Sequence, residues 1–101
     1  MVDMKLFLDD KRKCPPGYTL CRWPEDVIQL LKTEKVSEVS LDHDLGDDVH
    51  GTGNDVILWI EEQVATSDFI PPIIKVHSDN PPGVRKMTAG INAILRLVSK
   101  R

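Results

Sequence analysis

The chain has 101 residues, 41% hydrophobic and 29% charged, with a net charge of -3 at neutral pH. That is the size and balance of a single globular domain with one core, read here as one unit over residues 1–101. The slight acidity argues against a general nucleic-acid or anionic-membrane surface, which needs clustered Lys and Arg. No apolar run approaches the roughly 18 residues of a spanning helix, and the N-terminus carries no signal-peptide pattern, so a cytoplasmic location is expected.

Residues 4–8 read as a buried strand, short, apolar and ended by Asp9-Asp10. Lys11 to Gly17 is a loop broken by Pro15-Pro16-Gly17. Tyr18 to Arg22 forms a short edge strand. The connection before it is shorter than the dozen or so residues a parallel crossover usually needs, which leaves it open to an antiparallel or irregular course. Pro24-Glu25-Asp26 opens a helix, with Pro in the first turn and acids at the positive dipole end. Val27, Leu30, Leu31 and Glu34 follow at helical spacing. Residues 38–42 form the next strand, and a loop from Gly46 to Gly53 leads to a helix over about 54–66 with Val56, Ile57, Ile60 and Val64 inward. After Pro71-Pro72 comes the strand Ile73 to Val76. A last helix follows Pro81-Pro82-Gly83, with Val84, Met87, Ile91, Ile94, Leu95 and Val98 on one stripe. Basic residues at its end (Arg96, Lys100, Arg101) suit a helix C-terminus. Strand-helix alternation of this kind predicts a small three-layer α/β domain, a mostly parallel sheet with right-handed crossovers and helices on both faces.

Three of these strands end in polar clusters of a catalytic kind, and parallel strands would bring all three to one sheet edge, where open α/β folds place ligands. Asp9 and Asp10 are costly to hold together unless a cation or an arginine neutralises them, the pattern of a Mg2+ or Mn2+ site. The plainer reading is a turn-capping aspartate shielded by Lys11 and Arg12. Asp42-His43-Asp44 alternates along an extended segment, so both aspartates point one way and His43 the other. One of them can join Asp9 and Asp10 around a cation. His43 is a candidate acid/base, with a structural strand-end histidine as the alternative.

In His77-Ser78-Asp79-Asn80, hydroxyl and amide groups beside a helix start suit phosphate oxygens, although the same residues are ordinary N-caps. Asp47 and Asp48 read as solvated loop acids, His50 as a bystander, and Trp23 and Trp59 as packing residues. Cys14 and Cys21 read as free thiols, since a reducing compartment opposes a disulfide and zinc normally takes four ligands. No phosphate-loop, dinucleotide or nucleophile-elbow fingerprint is present.

The stretches LFLDDKRKCP (Leu6 to Pro15), VSLDHDLG (Val39 to Gly46) and VHSDNPPGVRKM (Val76 to Met87) resemble the motifs LDDxRxxP, SLDHDLG and HSxNPxGxxxM. These belong to a variant of the receiver (CheY-like, flavodoxin-like) domain known as the cyclic-phosphate processing receiver domain. The resemblance implies an acidic metal pocket at Asp9 and Asp10, the phospho-acceptor position at Asp42, and the strand-ending Ser/Thr at Ser78. A receiver's later strand with its active-site lysine has no counterpart, so the domain reads as truncated relative to a full receiver. His43 and His77 stand where signalling receivers do not need histidines, which favours phosphate-ester chemistry over a phosphorelay.

The expectation is a metal-dependent phosphoesterase acting on a cyclic phosphate, small or on an RNA end, of the RNA-end or ADP-ribose type. Asp9, Asp10, Asp42 and Asp44 would form the Mg2+ or Mn2+ site, with His43, His77 and Asp42 catalytic and Arg12, Ser78 and Asn80 holding the phosphate. The alternatives are a non-enzymatic receiver-like signalling module phosphorylated on Asp42, or a protein that binds a cyclic nucleotide without turnover.

Overall fold

A computed structural model describes residues 3–101. Its elements in chain order are β1 (Met4–Leu8), β2 (Thr19–Cys21), α1 (Pro24–Thr33), β3 (Val36–Leu41), α2 (Gly53–Thr66), β4 (Ile73–Val76) and α3 (Pro81–Ser99). Each helix starts where its sequence supplies a partner for the free N–H groups of the first turn. The Asp26 carboxylate accepts from the Trp23 N–H at the head of α1, Asp55 accepts from Thr52 at α2, and the Asn80 Oδ1 accepts from Gly83 at α3. Gly53 lets α2 begin directly against the end of β3, for a Cβ there would stand 1.9 Å from the Asp42 carbonyl oxygen.

The four strands form one sheet in the order β2-β1-β3-β4, with every neighbouring pair parallel. The short edge strand therefore runs parallel to β1, and neither the antiparallel nor the irregular course is taken. The intervening loop returns to the starting end of the sheet without a helix, which three residues of pairing permit.

Alternation divides the sheet cleanly. Leu6, Leu8, Val39 and Leu41 point to one side, where with Cys21 they meet Val27, Leu31, Val56, Ile57, Ile60, Val64, Met87 and Ile94 from the helices. The α/β class and parallel receiver-like sheet are as expected, but the helices do not cover both faces. The chain steps from β2 over β1 to β3 and then to β4 in one direction, and right-handed crossovers put α1 and α2 on the same side. α3 packs along α2. The result is two layers, with a shortest dimension of 21 Å. No helix joins β1 to β2, and that step, which runs the opposite way, is the one that would have covered the other face.

The bare face carries Lys5, Phe7, Glu38, Ser40 and Lys75, with Leu20 and Ile73 as exposed aliphatics beside them. Tyr18 packs edge-on against Phe7 and donates its hydroxyl proton to Glu38, which also pairs with Lys75 at 3.3 Å. Leu95, expected on the apolar stripe of α3, is instead exposed beside Ile70 and Ile73. The basic C-terminus does complement a helix end, that of α2: Arg101 donates to the carbonyls of Val64 and Ser67. Both cysteines are free, and burial pushes the Cys21 thiol up to about 11. No helix among the described residues is long and apolar enough to cross a membrane.

Candidate active site

The register of the sheet aligns the strand ends. Leu8 pairs with both Cys21 and Leu41, and Leu41 pairs with Val76. The next residue on each strand is therefore part of one row: Arg22, Asp9, Asp42, His77. Backbone bonds extend the ladder into that row, from Asp9 N–H to Cys21, Asp42 N–H to Leu8 and His77 N–H to Leu41. The three expected clusters do meet at one edge.

Carboxylate oxygens of Asp9, Asp10 and Asp42 all lie within 4.8 Å of one another. They open onto a cavity of about 370 Å³ that Lys11, Arg12, Asp44, Gly46 and Asp79 also line. Asp9 is almost wholly buried. Its Oδ1 accepts from the backbone N–H groups of Lys11 and Arg12 at 2.8 Å each, and its Oδ2 from His77 Nε2 at 2.9 Å. Burial works to raise its carboxyl, but the donors from Arg12, Lys11 and His77 together hold it below the usual carboxylate value. The turn-capping reading of Asp9 holds for Oδ1, while Oδ2 is taken by His77. Asp42 has no such set of donors. Burial first, and the charge of Asp9 second, push its carboxyl above the ordinary value. Neither Asp10 nor Asp42 belongs to an ion pair among the described residues.

The set fits a divalent cation. Its donors are hard oxygens, the class Mg2+ and Mn2+ prefer, and the mutual repulsion that raises Asp42 is what a cation relieves. Asp44, also expected among the ligands, lines the cavity outside this group of three. It is held by His43 Nδ1 at 2.9 Å and by the Asn80 amide at 3.1 Å. His43 above all, together with Asn80, keeps its carboxyl low.

The two imidazoles stand behind carboxylates. His77 lies face to face on Phe7, with ring centroids 4.3 Å apart, and contacts Ser40 Oγ at 2.7 Å through Nδ1 while Nε2 holds Asp9. The tautomer with a proton on Nε2 satisfies both contacts. His43 packs against the start of α3, where a Cβ on Gly83 would lie 2.6 Å from its Cγ. Neither ring lines the cavity.

Of the expected phosphate-holding residues, Arg12 alone lines it, and its guanidinium is engaged by the His77 carbonyl at 2.5 Å and by Asp79 at 2.8 Å. Ser78 Oγ accepts from the Asn80 N–H, and Asn80 caps α3 while bonding Asp44. The capping reading of Ser78 and Asn80 holds in the geometry. His50, read as a bystander, stacks on Trp23 at 3.7 Å and contacts Glu25, tying the glycine-rich loop to α1.

Arg22 is the row member that sequence reasoning passed over. The signal was available, because Arg22 ends its strand just as Asp9, Asp42 and His77 end theirs, but a three-residue strand is hard to place in register.

A four-stranded parallel sheet in this order, with acids gathered where its strands end, defines a small receiver-like domain. The family model for the cyclic-phosphate processing receiver domain matches residues 4–93, and the chain belongs to that family. No curated protein and no solved structure matches the chain.

Proposed function

We propose that the domain is a metal-dependent phosphoesterase that opens a cyclic phosphate to the monoester. The observation that carries this is the group of three carboxylates within 4.8 Å, two of them free of ion pairs among the described residues, at the strand-end edge of a cyclic-phosphate processing receiver domain. Asp9, Asp10 and Asp42 would hold Mg2+ or Mn2+, which when bound polarises a phosphoryl oxygen and lowers the pKa of water.

The protein's own part is orientation and proton transfer. Water adds to phosphorus, the ring P–O bond breaks, and one proton moves from the water to the departing alkoxide. The Asp44–His43 pair, whose carboxylate lines the cavity, takes that proton and returns it, so a single relay serves both transfers. His77 is a positioning residue: through Nε2 it fixes the rotamer of Asp9, as the partners behind a metal ligand commonly do. Lys11 and Arg12 on the wall offset the charge of the phosphodiester.

Incubating the protein with a panel of 2′,3′-cyclic nucleotides and cyclic ADP-ribose phosphates, with and without Mn2+, and reading by phosphorus NMR tests this. Metal-dependent conversion to a monoester is expected. No opening of any ring, combined with a gain of one phosphoryl group on Asp42 from acetyl phosphate, would replace the enzyme by a signalling module.

A further inference from the structure

We infer that Arg22, exposed beside Gly46 on the rim of this cavity, is an anion-binding residue, the group that grips the non-reacting oxygens of a phosphodiester. The inference rests on the phosphoesterase reading above for its substrate, but its geometry is independent of it. Arg22 is in register with Asp9, the next member of the row across the sheet edge. A Cβ at Gly46 would stand 3.3 Å from Asp10 Oδ2 and 3.5 Å from Arg22 Nη2, so the guanidinium and the carboxylate both approach a glycine that lines the cavity. Yet Arg22 forms no ion pair among the described residues, with Asp10 or with any other acid.

Arg12 shows the contrast. Its guanidinium commits two of its five donors, to Asp79 and the His77 carbonyl, and its charge is paired with Asp79. Arg22 keeps its donors, in the planar fork that suits phosphate oxygens.

It is also held in place. Its Cζ lies 3.8 Å from the centre of the Trp23 ring, and the His50 ring stacks on Trp23 at 3.7 Å. Two groups that close to one centroid cannot share a face, so Trp23 is sandwiched between them. Both faces being occupied, Trp23 offers no platform for a base; it fixes a cation beside Gly46, which lines the acidic cavity. Gly46, with φ of 89°, leaves the gap between Arg22 and Asp10 open. That gap suits a ligand that is at once bound to a cation held by the acids and negatively charged towards Arg22, which is the character of a phosphate.

The test is calorimetric titration of the full chain and of its Arg22→Gln and Arg22→Lys variants, with inorganic phosphate in the presence of Mn2+ and with Mn2+ alone. Arg22→Gln should weaken phosphate by roughly tenfold or more, with Arg22→Lys in between, because a point charge replaces a fork. The same Arg22→Gln change should tighten Mn2+ alone, since a positive charge beside the acids is gone. A scaffolding role for Arg22 would instead weaken both ligands together. Unchanged phosphate affinity in Arg22→Gln, or no phosphate binding by the unmodified chain, overturns the inference. Arg22-dependent phosphate binding without turnover of any cyclic phosphate would sink the phosphoesterase reading and leave the anion site standing. Turnover with an unaltered KM in Arg22→Gln would do the reverse.

Discussion

Replacing Asp42 by Asn should make the metal-free protein more stable and the metal-loaded protein less so. The acid group supplies the magnitude. Two carboxylates with oxygens 4.8 Å apart repel by about 3 kcal/mol at an effective dielectric constant near 20 and about 1 kcal/mol in bulk water. Asp42 is partly exposed to the cavity, so the lower figure applies, and Asn should gain about 1 kcal/mol in chelator. For a domain of this length that is a rise in Tm of roughly 4–8 °C. Mn2+ at a hundred times its Kd should stabilise the native chain by about 2.7 kcal/mol, most of which Asp42→Asn forfeits. The order of melting should therefore reverse between EDTA and Mn2+.

The pH dependence follows from the sign of the shift. A carboxyl raised in the folded state is fully destabilising above its folded pKa and harmless only below its unfolded one, so the advantage of Asn should shrink as pH falls through the raised value of Asp42 and be gone below the ordinary carboxylate value. Thermal unfolding by circular dichroism, with and without metal and from pH 7 downward, measures all of this. If Asp42→Asn melts lower in EDTA, the carboxylate is structurally bonded and not repelled, and the reasoning fails. Equal stabilisation of both proteins by Mn2+ would place the cation elsewhere.

His77→Ala leaves the buried Asp9 oxygen without its donor and should cost about 1–3 kcal/mol in urea unfolding. It should also shift acid unfolding to higher pH. The depressed Asp9 carboxyl contributes stability that is lost as pH falls through its folded value, and losing His77 raises that value; an unmoved acid midpoint would contradict the role given to this ring. Gly46→Ala, at φ 89°, should lose about 1–2 kcal/mol to backbone strain, and its methyl, 3.3 Å from Asp10, should weaken Mn2+ in calorimetry. Gly83→Ala pushes a methyl into the His43 ring and should mimic His43→Ala, lowering cyclic-phosphate turnover by about a hundredfold with the circular dichroism spectrum retained. Full activity in Gly83→Ala would remove His43 from the relay.

Much of this site could be read from the chain because strands leave a plain trace. Each of the runs before Asp9, Asp42 and His77 is apolar and ends in acids or amides, and parallel pairing does the rest. What the sequence hid was tertiary. The β2 segment is three residues long, and its direction depends on a loop whose path no periodicity encodes. The faces of the helices were misjudged because handedness was applied without the strand order that decides the side. Glu38 and Ser40 alternating with Val39 and Leu41 were the available warning, since a sheet covered on both faces reads as nearly continuous aliphatics. The imidazoles were misplaced for a different reason: a histidine next to a carboxylate in sequence does not reveal which of the two reaches the cavity.

The row of strand-end side chains hangs on the side of the sheet opposite the aliphatic core. Phe7, Ser40 and His77, which steady Asp9, belong to the bare face, while Leu6, Leu8, Val39 and Leu41 face the helices. The strand-end row and the aliphatic core thus lie on opposite surfaces of one sheet, while His43 and the Asp42 carbonyl also touch the helix starts at Gly83 and Gly53. Such a partition loosens the usual conflict between stability and activity. Variation at Ser40 or Phe7 acts on Asp9 through the His77 ring, from the face that carries no helix. A lineage built this way can vary the bare face while the aliphatic face keeps it folded.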